Sequence, residues 1–211
     1  MCLENDMVLV QDDKYILKKE REEDKQAYFE LYKEDSILFK RMPYDMFRDF
    51  FEKQWENRRQ EKNLYVSIFK KQDFAYLGNI VLQNIDSTTP ELGIDVVKKY
   101  QRKGVAYDTL KMFVRWGSEI FNNMEYFLVR IYSDNLASLS LFQKLGVTKI
   151  GEEPSEYQVF LNQFKEHLGK EEYGKVKKKN PDMENIAKGR YIVRYKLEYK
   201  TDEQALFSKQ N

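Results

Sequence analysis

Alternating apolar and polar positions divide the chain into short strands and amphipathic helices. Residues 14–17 predict a first strand after a frayed start over 1–12. The acidic run Glu22, Glu23, Asp24 suits the positive end of the helix that follows, with Ala27, Tyr28, Leu31 and Tyr32 on one face. Pro43 marks a second helix, along which Phe47, Phe50, Phe51 and Trp55 fall at i, i+3, i+4 and i+8 as a core stripe. The loop ahead of it, 39–44, is a candidate lining for a substrate entrance. Leu64, Val66 and Ile68 alternate with Tyr65, Ser67 and Phe69; 70–73 turns and 75–82 returns, which predicts a hairpin. A turn over 84–90 feeds a strand at 91–97 with Leu92, Ile94 and Val96 on one side, so three antiparallel strands are expected before residue 98.

Further on, Ala106, Leu110, Phe113, Gly117 and Ile120 keep the 4, 3, 4, 3 spacing of one buried helical face, with Met112 and Trp116 beside it. Asn122-Asn123 ends that helix, and 126–132 is strongly β-forming. A strand–helix–strand crossover of this size implies that 91–97 and 126–132 run parallel. Ser133-Asp-Asn135 is a cap-rich turn, 136–145 a short helix stopped by Gly146, and 148–151 the start of another strand. Residues 152–189 form a polar insertion rich in Lys and Glu, helical over about 155–168, with the basic run 175–179 as a solvated face. The stretch 191–199 closes the sheet, and a tail follows. No repeat or linker divides the chain, so one α+β domain is expected over 1–211: a mixed, mostly antiparallel twisted sheet of about seven strands, flanking helices and one central parallel strand pair.

Composition narrows the function. Of 211 residues, 42% are apolar and 34% charged, which is globular. Thirty-six basic against thirty-five acidic residues give a net charge of +1, too little surplus for a general nucleic-acid binder. A single cysteine, Cys2, and a single histidine, His167, exclude an intrachain disulfide and a Cys/His zinc site, and no metal is expected. His167 lies in a polar helical stretch and reads as solvent-facing rather than as a hydrolase base. The opening Met-Cys-Leu-Glu-Asn-Asp has no basic segment followed by an apolar core, so no signal peptide is expected. No apolar run approaches the ~20 residues of a membrane span. No membrane partner and a cytoplasmic location are therefore expected, and anion binding has to be local.

One stretch supplies it. Glu91-Leu-Gly-Ile-Asp-Val-Val-Lys-Lys-Tyr-Gln-Arg-Lys-Gly-Val-Ala106 is a strand that runs into a basic loop and opens a helix. Gln101, Gly104 and Ala106 are spaced Q-x-x-G-x-A among Lys98, Lys99, Arg102 and Lys103. Such a loop aims backbone N–H groups at one point, at the positive end of a helix, and suits a phosphate-bearing ligand. A Rossmann site is disfavoured because G-x-G-x-x-G is missing and the preceding strands are antiparallel. A P-loop is excluded because no G-x-x-x-x-G-K-[ST] occurs.

A second motif follows on the next helix, Asn135-Leu-Ala-Ser138-Leu-Ser-Leu-Phe142-Gln-Lys-Leu-Gly146. With both in this order the chain resembles the GNAT superfamily of acyl-CoA-dependent N-acetyltransferases. Their hallmark is a strand, a [QR]-x-x-G-x-[GA] loop, a helix, a strand, then N-x-x-[AS] on a helix ending K-x-G-[FV]. In element order the resemblance covers about 14–152 and 190–199, and it is sharp over 91–151. It implies that the N–H groups of Arg102, Lys103, Gly104, Val105 and Ala106, in the loop that Gln101 opens, hold the CoA pyrophosphate, with Lys98, Arg102 and Lys103 adding charge. It also implies that pantetheine pairs with backbone at Val96 and Val97, that Asn135 bonds the pantetheine arm, and that Ser138 bonds the cofactor nearby. Asn135 also reads as a plain helix N-cap, and the two roles are compatible.

Acyl transfer to an amine needs a proton acceptor, an oxyanion donor and a proton for the leaving thiolate. The resemblance implies Glu91 as the first, often through water, and the Val96 N–H as the second. Glu91 reads equally as a solvent-facing strand residue. The third has no obvious holder. Many relatives have a tyrosine seven residues after the asparagine, where this chain has Phe142. Tyr132, Ser138, Ser140 or water are the substitutes. Branches that acetylate ribosomal-protein N-termini commonly lack that tyrosine, which favours them. The expected activity is direct transfer of acetyl from acetyl-CoA to a primary amine on a small molecule, a polyamine or a protein N-terminus, with a homodimer as a candidate assembly. The alternatives are a CoA-binding or protein-interaction module without turnover, and a scaffold with no CoA site. Acceptor choice would fall to the helices around Tyr44 and to 152–189.

Overall fold

A computed structural model describes residues 8–35, 43–58, 62–181 and 189–198. The expected start before residue 8, the loop over 39–42 and the tail after 198 lie outside the described residues. The elements are β1 (Val8–Gln11), β2 (Tyr15–Lys19), α1 (Lys25–Asp35), α2 (Tyr44–Arg58), β3 (Leu64–Lys70), β4 (Tyr76–Gln83), β5 (Glu91–Val96), α3 (Val105–Ile120), β6 (Phe127–Tyr132), α4 (Leu136–Lys144), β7 (Thr148–Pro154), α5 (Glu156–Lys179) and β8 (Tyr191–Leu197). The chain is mixed α+β and mostly antiparallel, with eight described strands rather than about seven. It divides between Phe127 and Leu128 into two compact units.

In the first unit the strands lie in the order β1-β2-β3-β4-β5, each antiparallel to its neighbour. Five described strands precede the basic loop: the first strand expected at 14–17, the three antiparallel strands expected after it, and one more. The extra one is β1, inside the stretch read as frayed. Asp12 Oδ1 accepts the N–H groups of Lys14 and Tyr15 at 2.8 and 2.7 Å, and this local turn folds Val8–Gln11 back onto β2.

Register gives this sheet two unlike faces. On one lie Leu17, Val66, Ile68, Ile80, Leu82, Leu92 and Val96, all buried. Helix α3 lies along β1, β2 and β5, and the Tyr15 hydroxyl bonds its Asp108, which sets α3 on this apolar face. The buried side of α3 is Val105, Thr109, Leu110, Phe113, Val114 and Gly117; Ala106 and Ile120 of the expected face are only half-buried. The opposite face is polar: Tyr65 and Ser67 of β3, Tyr76 and Asn79 of β4, Glu91 and Asp95 of β5.

Helices α1 and α2 sit on that polar face through an aromatic cluster. Phe47, Phe51 and Trp55 of the expected stripe are buried with Phe29, while Phe50 is half-buried. Each such ring removed from water stabilises the packing by roughly 1.5–3 kcal/mol. The helices are pinned by polar bonds. Buried Ser67 donates to Asp24 at 2.7 Å, and Trp55 Nε1 donates to Glu22 at 2.9 Å. Arg58 donates two bonds, at 3.0 and 2.9 Å, to Glu20, and its guanidinium lies 3.9 Å from the Tyr28 ring centre and 3.8 Å from that of Tyr65. A cavity of about 140 Å³ opens there, lined by Tyr28, Tyr32, Gln54, Asn57, Arg58 and Tyr65.

In the second unit the strand order is β6-β8-β7, with β7 and β8 antiparallel. The last strand therefore lies between two others instead of closing an edge, and it stops at Leu197. The expected insertion begins too early at 152, because β7 continues to Pro154 under its pairing with β8. Ser155 and Gln158 then form a reciprocal cap for α5, which breaks at Gly169 (φ 69) and resumes to Lys179. The helix expected to end near 168 ends at that glycine, but a further helical segment carries the basic run.

Candidate functional site

The loop after β5 is shaped by its own backbone. The Val97 N–H donates to the Leu77 carbonyl at 2.9 Å, and the Val97 carbonyl accepts from Tyr100 at 2.8 Å. A short 3-10 helix follows over Lys98–Tyr100. Because the bond to β4 comes from Val97, the facing pair Gly78 and Val96 is a non-hydrogen-bonded pair. The N–H and carbonyl of Val96 point to the side of β5 away from β4. Gln101 folds back, and its side-chain amide donates to the Val96 carbonyl at 2.9 Å. Its visible work is to tie the loop to the strand.

Arg102 (φ 58) and Gly104 (φ 85) both take left-handed backbone, and Gly104 caps α3. The Gly104 carbonyl accepts from Asp108 at 3.0 Å, so the N–H groups of Val105, Ala106 and Tyr107 precede the first helical bond and have no acceptor within the helix. Lys98, Lys99, Arg102 and Lys103 are exposed around this turn. Oriented N–H groups at the positive end of a sixteen-residue helix, with four exposed cations in the loop leading into it, make a local positive site of the kind that suits a phosphate group.

The polar face of β5 supplies the acidic side chains. Glu91 heads the strand half-buried, opposite Gln83, and Asp95 is exposed, opposite Asn79 and next to Val96. Asn79 is 2% exposed, and its Oδ1 has no hydrogen-bond partner among the described residues. Tyr28 lies across from this point on α1. Burial raises its phenol to about 12, Arg58 opposes the rise, and Asp95 adds to it. The buried Tyr76 phenol is likewise pushed up, by burial first and then by Glu20. At the end of α1, Glu34 accepts the Lys98 N–H at 3.3 Å.

The remaining expected residues belong to the second unit. Asn135 caps α4, its Oδ1 accepting the Ser138 N–H at 3.1 Å, so the plain capping reading holds. The amide nitrogen is the part of Asn135 left for a ligand. Phe142 is buried on the same helix. Tyr132, a substitute proton donor, gives its hydroxyl hydrogen to Glu156. Burial first, and that carboxylate second, raise the phenol to about 12, so it holds its proton firmly. Arg190 covers its ring at 3.9 Å.

Sequence reading missed Asn79, Asp95 and the Arg58–Glu20 pair. The available signal for Asn79 was a lone amide inside the apolar run of β4. Asp95 gave none, since a polar residue between Ile94 and Val96 is ordinary strand alternation.

The sequence pattern of the acetyltransferase (GNAT) domain family matches residues 14–148. The chain belongs to this family of acetyltransferases, and a ribosomal-protein N-terminal branch is compatible with it. No curated protein matches the chain. Among solved structures, a spermidine/spermine N-acetyltransferase SpeG of Vibrio cholerae is similar at TM-score 0.54 and 16% identity, over 68% of this chain and 83% of that one. A candidate ribosomal-protein-serine acetyltransferase of Vibrio cholerae is similar at 0.54 and 13%, over 69% and 86%. A domain from Methanocaldococcus jannaschii DSM 2661 reaches 0.57 and 15%, over 88% and 100%. At these identities the likeness is one of fold. Among the described residues, no helix is long and apolar enough to cross a membrane, and no group of three or more His, Cys, Asp or Glu could hold a metal.

Proposed function

We propose that the chain transfers acetyl directly from acetyl-CoA to a primary amine. The observation that carries the reading is the turn at 102–106, where left-handed backbone and the N-terminus of α3 present free helical N–H groups in a loop that carries four exposed cations. In this reading Arg102, Lys103, Gly104, Val105 and Ala106 hold the pyrophosphate, and Gln101 fixes the loop beneath it. Pantetheine lies along Val96 and the second lone pair of the Val97 carbonyl, and the Val96 N–H receives the developing oxyanion. Asn135, through its amide nitrogen, and Ser138 serve the pantetheine arm. Glu91 serves the acceptor amine from the polar face of β5. Acetyl-CoA supplies the activated acyl group and the thiolate leaving group. The family match runs past the boundary at 127, which supports a single acetyltransferase domain over 1–211.

Acetyl-CoA turnover against a panel of amines, read as free thiol released, tests this. The panel holds polyamines and peptides with free N-termini, because similar structures are named for spermidine and spermine and for a ribosomal-protein serine. Turnover of at least one amine is expected, with loss of most of it in Glu91→Ala when the acceptor is far below saturation. No turnover of any amine, with acetyl-CoA still raising the melting temperature, favours a second reading as a CoA-binding module. Buried Phe142 and the committed hydroxyl of Tyr132 are the observations behind that reading. A spermidine N-acetyltransferase of Vibrio cholerae forms a dodecamer. Light scattering on this protein tests the expected homodimer.

A further inference from the structure

On the acyl-transfer reading, the proton acceptor must stand close to the oxyanion donor, because amine nitrogen and acetyl carbonyl are joined in the transition state. We propose that Asp95 takes the proton from the acceptor amine, while Glu91 attracts the cationic acceptor as it arrives. The apolar face of β5 is closed by α3, so an amine reaches the Val96 N–H from the polar face. Asp95 is on that face, one residue from Val96, a Cα separation of about 3.8 Å. Glu91 is on the same face but five residues away, roughly 17 Å of extended strand. A carboxylate acting through one water spans two hydrogen bonds, about 6 Å. Asp95 falls within that reach and Glu91 outside it.

Asn79 gives the place a second mark. It stands opposite Asp95 across the β4–β5 ladder, with side chains of such a pair about 5 Å apart. Its buried Oδ1 accepts no hydrogen bond among the described residues, an arrangement that calls for a donor. An N–H of the bound amine, or the water carrying its proton, supplies one. Tyr28 of α1 faces Asp95 electrostatically, Glu34 stands at the end of α1 by Lys98, and Glu91 completes the acidic set. In the step, the ammonium gives one proton to the Asp95 carboxylate, and the neutral amine attacks the acetyl carbon to form the C–N bond. Collapse of the tetrahedral intermediate breaks the C–S bond, the nitrogen gives up its second proton as the amide forms, the leaving thiolate takes that proton up, and Asp95 returns its own to solvent.

The test is the pH profile of kcat/KM for Asp95→Asn, Asp95→Glu and Glu91→Gln with an amine that the wild type acetylates. Asp95→Asn is expected to lower kcat by about 10²–10⁴-fold and to erase the acid limb. Asp95→Glu should restore part of both, and Glu91→Gln should raise KM with the limb unmoved. The thermal stabilisation by acetyl-CoA should persist in Asp95→Asn. Loss of that stabilisation, an unmoved acid limb in Asp95→Asn, or a moved one in Glu91→Gln overturns the assignment to Asp95. Failure of the wild type on every amine overturns acyl transfer itself, and is told apart by the wild-type assay alone.

Discussion

Gly78 holds the candidate oxyanion strand in place by having no side chain. It faces Val96 across β4 and β5 with φ 154. A Cβ there would stand 2.1 Å from the Asp95 carbonyl oxygen, 2.9 Å from Val96 Cα and 3.1 Å from the Asp95 carbonyl carbon. All three are backbone atoms, so no rotamer change relieves the clash and β5 itself must move. Overpacking of this kind costs about 1–3 kcal/mol. The positive φ adds on the order of 1–3 kcal/mol for a residue with a Cβ. Gly78→Ala should therefore lose roughly 2–6 kcal/mol, and at about 2–4 °C per kcal/mol for a chain of this size the melting temperature should fall by at least about 4 °C. Circular dichroism melts measure it. Gly174→Ala is the control, because nothing lies within 4 Å of its added Cβ in α5, and it should hold or gain stability. Acetyl-CoA turnover in Gly78→Ala should drop further than stability alone explains, since the displaced residues are Asp95 and Val96. A melting temperature within about 2 °C of wild type would refute the reasoning, because the overpacking cost alone predicts more.

Two other outcomes follow from the polar face. Arg58→Ala should destabilise by about 3–5 kcal/mol in denaturant melts, because it strips the guanidinium from the nearly buried Glu20; Arg58→Lys should recover only part, since an ammonium cannot reproduce the two-pronged bond between the Tyr28 and Tyr65 rings. Stability should fall as pH rises from 10 towards 12, where unfolded tyrosines have lost protons that Tyr28 and Tyr132, both raised to about 12, still hold. Tyr28→Phe should shrink the drop in melting temperature over that window, and an unchanged drop would show that Tyr28 does not carry it.

Much of the fold and of the candidate cofactor loop was legible because those signals are local. Period-2 alternation found β3, β4 and β5, the 4, 3 spacing found α3, and Gly104 was marked by a backbone only glycine adopts readily. Asn135 was visible as a cap for the same reason, since its partner is the N–H three residues on. Register was not local. Whether Asn79 meets Asp95, or Gly78 meets Val96, depends on strands separated by a turn of free length, and a slip of one residue would exchange the polar and apolar faces. The family resemblance therefore named Glu91, at the motif's head, and strand alternation set no mark on Asp95. The commitment of the Val97 N–H to Leu77 was equally hidden, because it is set by the ladder and not by the valine. The sequence by itself determined that a helix would start at a basic, glycine-bearing turn; only the tertiary pairing decided which N–H and which carboxylate stand beside it.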